Sequence, residues 1–221
     1  RSRINPEIFI MRSTACLIGF EIPSNWSNLL HYNCDAMPLK ASELEKLPAT
    51  LRSFTWSGDL YPRVDIKLQS RNMEVLAHVS QAPEDILVED RIGSKLRMYQ
   101  GQLAEFALKE NQYPNLKYVW IEGENGAEID LKNLLHPLEC LIVRGDFEKY
   151  SSGALATKYL DISHSSITTV NSPESVEVLV CNSEVLNQPE LMEQFINLKE
   201  LHFGSATTDE VRAFLNGNVK L

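Results

Sequence analysis

Pro114-Asn115-Leu116-Lys117-Tyr118-Val119-Trp120-Ile121 and His136-Pro137-Leu138-Glu139-Cys140-Leu141-Ile142-Val143 carry one pattern twice. Each reads apolar-x-x-apolar-x-apolar with a proline just ahead, and the two copies begin 22 residues apart, at 116 and 138. Such self-similarity is weighed before local propensity. A unit too short to bury its own apolar side must stack on copies of itself, and that stacking sets the architecture.

The pattern extends in both directions. Thr157-Lys-Tyr-Leu160-Asp-Ile162, Val176-Glu-Val-Leu179-Val-Cys181 and Leu198-Lys-Glu-Leu201-His-Phe203 continue it forward. Backward lie Gly93-Ser-Lys-Leu96-Arg-Met98, Met73-Glu-Val-Leu76-Ala-His78 and Leu51-Arg-Ser-Phe54-Thr-Trp56, with Ser27-Asn-Leu-Leu30-His-Tyr32 as an earlier unit. From Leu51 to Leu198 the first anchors are spaced by 22, 20, 23, 22, 19, 19 and 22 residues. A short strand alternates its side chains, so the fourth and sixth positions face a core while the third, fifth and seventh face out. Parallel strands about 4.8 Å apart would make an eight- or nine-strand ribbon on the order of 40 Å long.

Between the strands the returning segments are uneven. Ala41–Leu47, which ends at Pro48, Gly101–Lys109, Pro189–Ile196 and Thr208–Leu215 have caps or helical spacing and are expected to be short helices. Arg63-Val-Asp-Ile66-Lys-Leu68 alternates strictly and predicts an extra strand or hairpin arm. Pro83–Val88 competes with Met73–His78 for the ladder position there.

A period in the low twenties with these anchors resembles the leucine-rich repeat family, whose units run about 20–29 residues. Leu160-Asp-Ile162-Ser-His-Ser-Ser-Ile167-Thr-Thr-Val170 is the best match and looks like the irregular, intracellular type. The resemblance covers 27–221 and implies an α/β solenoid of about eight or nine repeats. A curved parallel sheet would line the concave face, with short helices and irregular segments on the convex face. Residues 1–26 would be an N-terminal cap or the tail of a preceding region. The chain departs from the family where Asn or Cys is expected three residues after the sixth-position anchor. Asp59, Gln81, Gly101, Glu124, Asp146, Ser165, Glu184 and Ala206 stand there instead, so other bonds must serve the loop backbone.

Composition narrows the function. Of 221 residues 43% are hydrophobic, ordinary for a globular protein, and no run approaches a membrane span. Ile8–Met11 and Cys16–Phe20 are broken by charge and lack a cleavage site, unlike a signal peptide. Cys16, Cys34, Cys140 and Cys181 have neither disulfide-framework nor metal spacing, which favours a reducing intracellular compartment, cytoplasm or nucleus. The sequon Asn25-Trp26-Ser27 is a match frequent by chance. A net charge of −9 disfavours nucleic acid and anionic membranes, which require concentrated basic surface.

Chemistry is sparse. There is no phosphate-cradling glycine loop, zinc-protease spacing, nucleophile elbow or paired-cysteine zinc motif. Asp161, Ser163 and His164 sit on one strand, where side chains of a catalytic triad would not converge. Glu122–Asp130 has oxygen ligands without the regular spacing of a calcium loop. The expectation is a non-enzyme with no metal and no cofactor.

On the strand face, Tyr99, Tyr118, Trp120, Ile142 and Tyr159 fall at outward positions, ringed by Lys95, Arg97, Arg144, Glu122 and Asp161. Aromatics and arginine at the middle of such a face are the residue types that dominate binding hot spots. The expectation is a scaffold that docks a protein or peptide there, as a substrate-receptor or assembly subunit. The alternative is a substrate-positioning repeat domain of a longer enzyme such as a ubiquitin ligase, its catalytic part elsewhere. Val219-Lys-Leu221 raises end-to-end contact through an uncapped C-terminus.

Overall fold

The computed structural model describes residues 5–12, 22–35, 39–57, 60–61, 66–67, 70, 72–79, 86–87, 95–102, 113–123, 127–130, 137–145, 147–151, 157–167, 170, 172–205, 209 and 212. The chain divides into two compact units, 1–116 and 117–221.

In the first unit the ladder strands are β1 (Ile8–Arg12), β2 (His31–Asp35), β4 (Ser53–Ser57), β7 (Val75–Val79) and β9 (Met98–Gln102). Each pairs in parallel with the next in that order. Two-residue strands lie in the returns. β3 (Leu39–Lys40) pairs with β5 (Leu60–Tyr61), and β6 (Ile66–Lys67) pairs with β8 (Ile86–Leu87). The return strands therefore stack in the same parallel sense, as in a solenoid turn. α1 (Ala41–Leu44) is a single helical turn that places Glu43 inside. Glu43 accepts from the Ile22 amide at 2.6 Å and from Lys46 Nζ at 2.6 Å, so its buried carboxylate is both paired and hydrogen-bonded.

The second unit repeats the plan with β10 (Tyr118–Glu122), β12 (Leu138–Gly145), β14 (Thr157–Ser165), β15 (Val178–Asn182) and β16 (Glu200–Ser205). They too pair in parallel in sequence order. β11 (Ala127–Asp130) and β13 (Phe147–Ser151) pair across the return. α2 (Ser183–Leu186) and α3 (Pro189–Met192) are single turns. Proline starts α3 because its missing N–H belongs to a first-turn position that has no helical partner anyway.

Burial follows the expected two-residue alternation. Phe54 and Trp56, Val119 and Ile121, and Leu179 and Cys181 are all inside, with the intervening residues only partly covered. The two cores differ in kind. In the first, Phe9, Tyr32 and Phe54 stack in successive turns with centroids 5.3 and 5.6 Å apart. In the second, the fourth positions Val119, Leu141, Leu160 and Leu179 are aliphatic and buried.

Two expectations change, one alternative closes on the ladder as read, and one stretch gains a strand. Helices are fewer than foreseen: among the described residues, most returns are irregular or made of short paired strands. The ladder strand in the weakest stretch is 75–79, while 86–87 belongs to a return. The unit read at Ser27 is shifted by two, since Leu29, Tyr32 and Cys34 are the buried anchors. The 1–26 stretch contributes β1, whose Phe9 and Met11 pair in register with Tyr32 and Cys34. Among the described residues each unit thus has five ladder strands; nine of the ten lie within 27–221, as the repeat count foresees, and β1 is the tenth. The helix expected over 101–109 and the one over 208–215, the Val219–Leu221 end and Cys16 lie largely or wholly outside the described residues.

The missing asparagine after the sixth anchor is replaced by polar residues just before the first. Asn5 Oδ1 accepts from the Asn28 amide (3.1 Å), Thr50 Oγ1 donates to the Ser27 carbonyl (3.1 Å), and Lys95 Nζ donates to Asn72 Oδ1 (2.6 Å). In the second unit Ser175 Oγ donates to Ser172 O (2.8 Å) and Asn197 Nδ2 to Glu174 O (2.7 Å). Four of these five bonds are exposed, where water competes for the same groups, so each contributes only about 0.5–1.5 kcal/mol net.

Candidate functional site

The residues expected to form one surface are divided between the units. In the first, Lys95 and Arg97 are exposed, but both precede β9. Tyr99 is a correction: it is 2% exposed and points into the core. The reason is register. Leu76 pairs with Tyr99 and Val75 with Met98, so Leu96, Tyr99 and Gly101 take the anchor positions assigned to Gly93, Leu96 and Met98. The outward residues of β9 are therefore Met98 and Gln100.

The second unit brings the remaining seven together. Tyr118, Cys140, Tyr159 and Val178 lie in one cross-strand row, and Trp120, Ile142, Asp161 and Val180 in the next. Glu122 pairs with Arg144 at the C-terminal ends of their strands. Tyr118 is 43% exposed, one of the large apolar side chains left open to solvent. The Arg144 guanidinium lies 4.3 Å from the Trp120 ring centroid, a cation–π contact that holds the indole against the sheet. Trp120 Nε1 is buried there with no hydrogen-bond partner among the described residues.

Asp161 has a local task. β14 carries one extra residue opposite β12: Ile142 pairs with Asp161, yet Arg144 pairs with His164. Asp161 Oδ1 accepts from the Ser163 amide (3.0 Å) and hydroxyl (2.7 Å), closing the bulge. Ser163 is consequently buried while His164 is exposed; Asp161 and Ser163 meet, contrary to the expectation that none of the three would, and the histidine stands apart. Burial first, then the nearby Asp161 charge, pushes the Cys140 thiol up to about 11, where it stays protonated at neutral pH. Tyr159 is raised by the same two causes in the same order.

Val178 and Val180 extend the apolar rows beyond Tyr159 and Asp161. Pattern reading placed both on this face, but without aromatic or charged character nothing marked them as part of a site. Beyond them His202 Nε2 lies 3.3 Å from Glu200 Oε2.

Along the near edge runs a line of alternating charge, one residue per turn. Glu139 meets Lys117 at 3.8 Å and Lys158 at 3.0 Å, and Glu177 meets Lys199 at 2.8 Å. Hydrogen bonding to Lys158 and Lys199, respectively, holds the two carboxyls below the ordinary range. Among the described residues no group of three or more His, Cys, Asp or Glu could hold a metal ion, and no helix is long and apolar enough to cross a membrane. No protein-family model, curated protein or solved structure matches this chain.

Proposed function

We propose that this chain is a non-catalytic interaction scaffold that docks a protein or peptide on the strand face of its second unit. The carrying observation is the row Trp120–Ile142 beside Tyr118 and Tyr159, with Arg144 seated on the indole. These are large, stiff side chains presented side by side on a sheet, which lose little conformational freedom when a partner covers them. Arg144 and Glu122 at the strand ends supply both signs of charge, which suits a polar protein partner better than a polyanion. The leucine-rich repeat resemblance supports the same reading, with the strand face as the concave one and cytoplasm or nucleus as the compartment. In that reading the chain is a substrate-receptor or assembly subunit, and the substrate-positioning part of a longer enzyme remains the second form of it.

The test compares wild type with Tyr118→Ala/Trp120→Ala/Arg144→Ala in affinity capture after cross-linking, with circular dichroism confirming the fold of the variant. A partner cross-linked to the wild-type β10–β12 surface and lost from the folded variant supports the proposal. A partner retained by the folded variant overturns it.

A further inference from the structure

The first unit has a depression of its own, about 270 Å³, on the outward side of its ladder. Asn33, Thr55, Ala77 and Gln100 form one row across β2, β4, β7 and β9. The short Thr55 and Ala77 side chains make the floor, and Arg12, Asp35 and Ser57 line the C-terminal end of the strands. At about 4.8 Å per strand the row is some 14 Å long, the reach of about four extended residues.

What marks this place is uncommitted hydrogen-bonding capacity. The Arg12 guanidinium, the Asn33 and Gln100 amides and the Thr55 hydroxyl have no side-chain hydrogen bond or ion pair among the described residues, yet all line the same depression. Asp35 is the exception, since it accepts the Ser57 hydroxyl. We infer that this depression binds a short extended peptide segment through a single carboxylate, with Arg12 as the anion partner and Asn33, Thr55 and Gln100 bonding the peptide amides. A guanidinium presents two parallel donors to a carboxylate, the strongest polar pairing available to a peptide. Asp35, opposite Arg12 in register, leaves the two charges nearly balanced. The site should therefore take a monoanion and reject phosphate dianions and acidic runs. The carboxylate could come from an acidic side chain or a chain terminus, and the two are separable by experiment.

The experiment titrates the 15N-labelled full chain with three acetylated tetrapeptides. These are amidated Ala-Glu-Ala-Ala, amidated Ala-Gln-Ala-Ala, and tetra-alanine with a free C-terminus. The Asn33 and Gln100 side-chain amides and the Thr55 backbone amide are the reporters. At least one carboxylate peptide should saturate with a Kd on the order of 1 mM, and the Gln peptide should bind about tenfold more weakly. Whichever carboxylate peptide binds identifies the source. Arg12→Met should cost about tenfold, while Asp35→Asn, which removes the like charge, should strengthen binding, a gain that a misfolded variant cannot imitate. No saturable shift from either carboxylate peptide overturns the inference. So does equal binding of the Gln peptide, unchanged affinity in Arg12→Met, or weakened affinity in Asp35→Asn.

Discussion

Gly145→Ala should be among the most damaging single-methyl changes in the second unit. Gly145 ends β12 with φ at +112°, a region L side chains rarely enter. A Cβ built there would stand 2.2 Å from the Gly123 carbonyl oxygen and 3.1 Å from its carbon. Those atoms are backbone and cannot rotate aside, so the strand ends would have to part by roughly 1 Å to restore contact distance. Backbone strain at such a φ costs about 1–3 kcal/mol. Parting the ends also threatens the Gly123 N–H bond to the Arg144 carbonyl, 3.0 Å long, worth about 1 kcal/mol. The sum is about 2–4 kcal/mol. Because Gly145 follows Arg144, the same shift lifts the guanidinium from Trp120. Hydrogen exchange of individual amides reads this locally: the Gly123 amide should exchange at least about tenfold faster in the variant, and the urea midpoint should fall. An Ala variant with unchanged Gly123 protection and a stability within about 0.5 kcal/mol of wild type would refute the reasoning.

Two further perturbations follow from bonds already described. Asn182 caps α2 through Glu184 and Val185 amides (3.1 and 3.3 Å) and donates from Nδ2 to the Ser165 carbonyl (3.0 Å). Asn182→Ala should cost about 1–2 kcal/mol in urea unfolding, with Asn182→Asp intermediate, because it keeps the cap and loses the donor. Equal stability of all three proteins would exclude this role. Glu139 and Glu177 are lowered in the fold, so the folded state binds their protons less readily than the unfolded chain. Their contribution is whole above the ordinary carboxylate range and fades as pH falls through the lowered values, and added salt weakens it. Urea midpoints of wild type and Glu139→Gln/Glu177→Gln should accordingly converge on acidification; parallel curves would contradict the linkage.

The alternation of buried and open positions was readable wherever both inward anchors are large. Leu51-Phe54-Trp56 and Leu138-Leu141-Val143 are such places, and both sit in the structure as the pattern requires. Register failed where an anchor lacks a side chain. Gly101 occupies a sixth position, so hydropathy points to Met98 in its stead, and Tyr99, with its hydroxyl, reads as a surface residue. At the N-terminus, Phe9 and Met11 were hidden by Ile8 and Ile10, which are equally apolar but 59% and 61% exposed. Hydropathy cannot separate the two faces of a strand that is apolar on both. The polar residue ahead of each first anchor was visible in Asn5, Asn28, Thr50 and Asn72, but its meaning depends on which loop groups it meets in the neighbouring turn. In the second unit the aromatic face was legible because both inward anchors of adjacent turns are large and apolar, Val119 and Ile121, Leu141 and Val143, Leu160 and Ile162. The role of Asp161 was not, since the extra residue of β14 has no signature short of the pairing itself.

The alternating line Lys117, Glu139, Lys158, Glu177, Lys199 gives the second unit a parity. Glu139 is bridged to lysine on both sides, and Glu177 is bridged to Lys199 and feels the charge of Lys158. Excising the turn that carries Lys158 would set Glu139 against Glu177, and duplicating it would set lysine against lysine. Turns can be gained or lost without conflict only two at a time, so the natural unit of growth or of design for this half of the chain is the pair of turns.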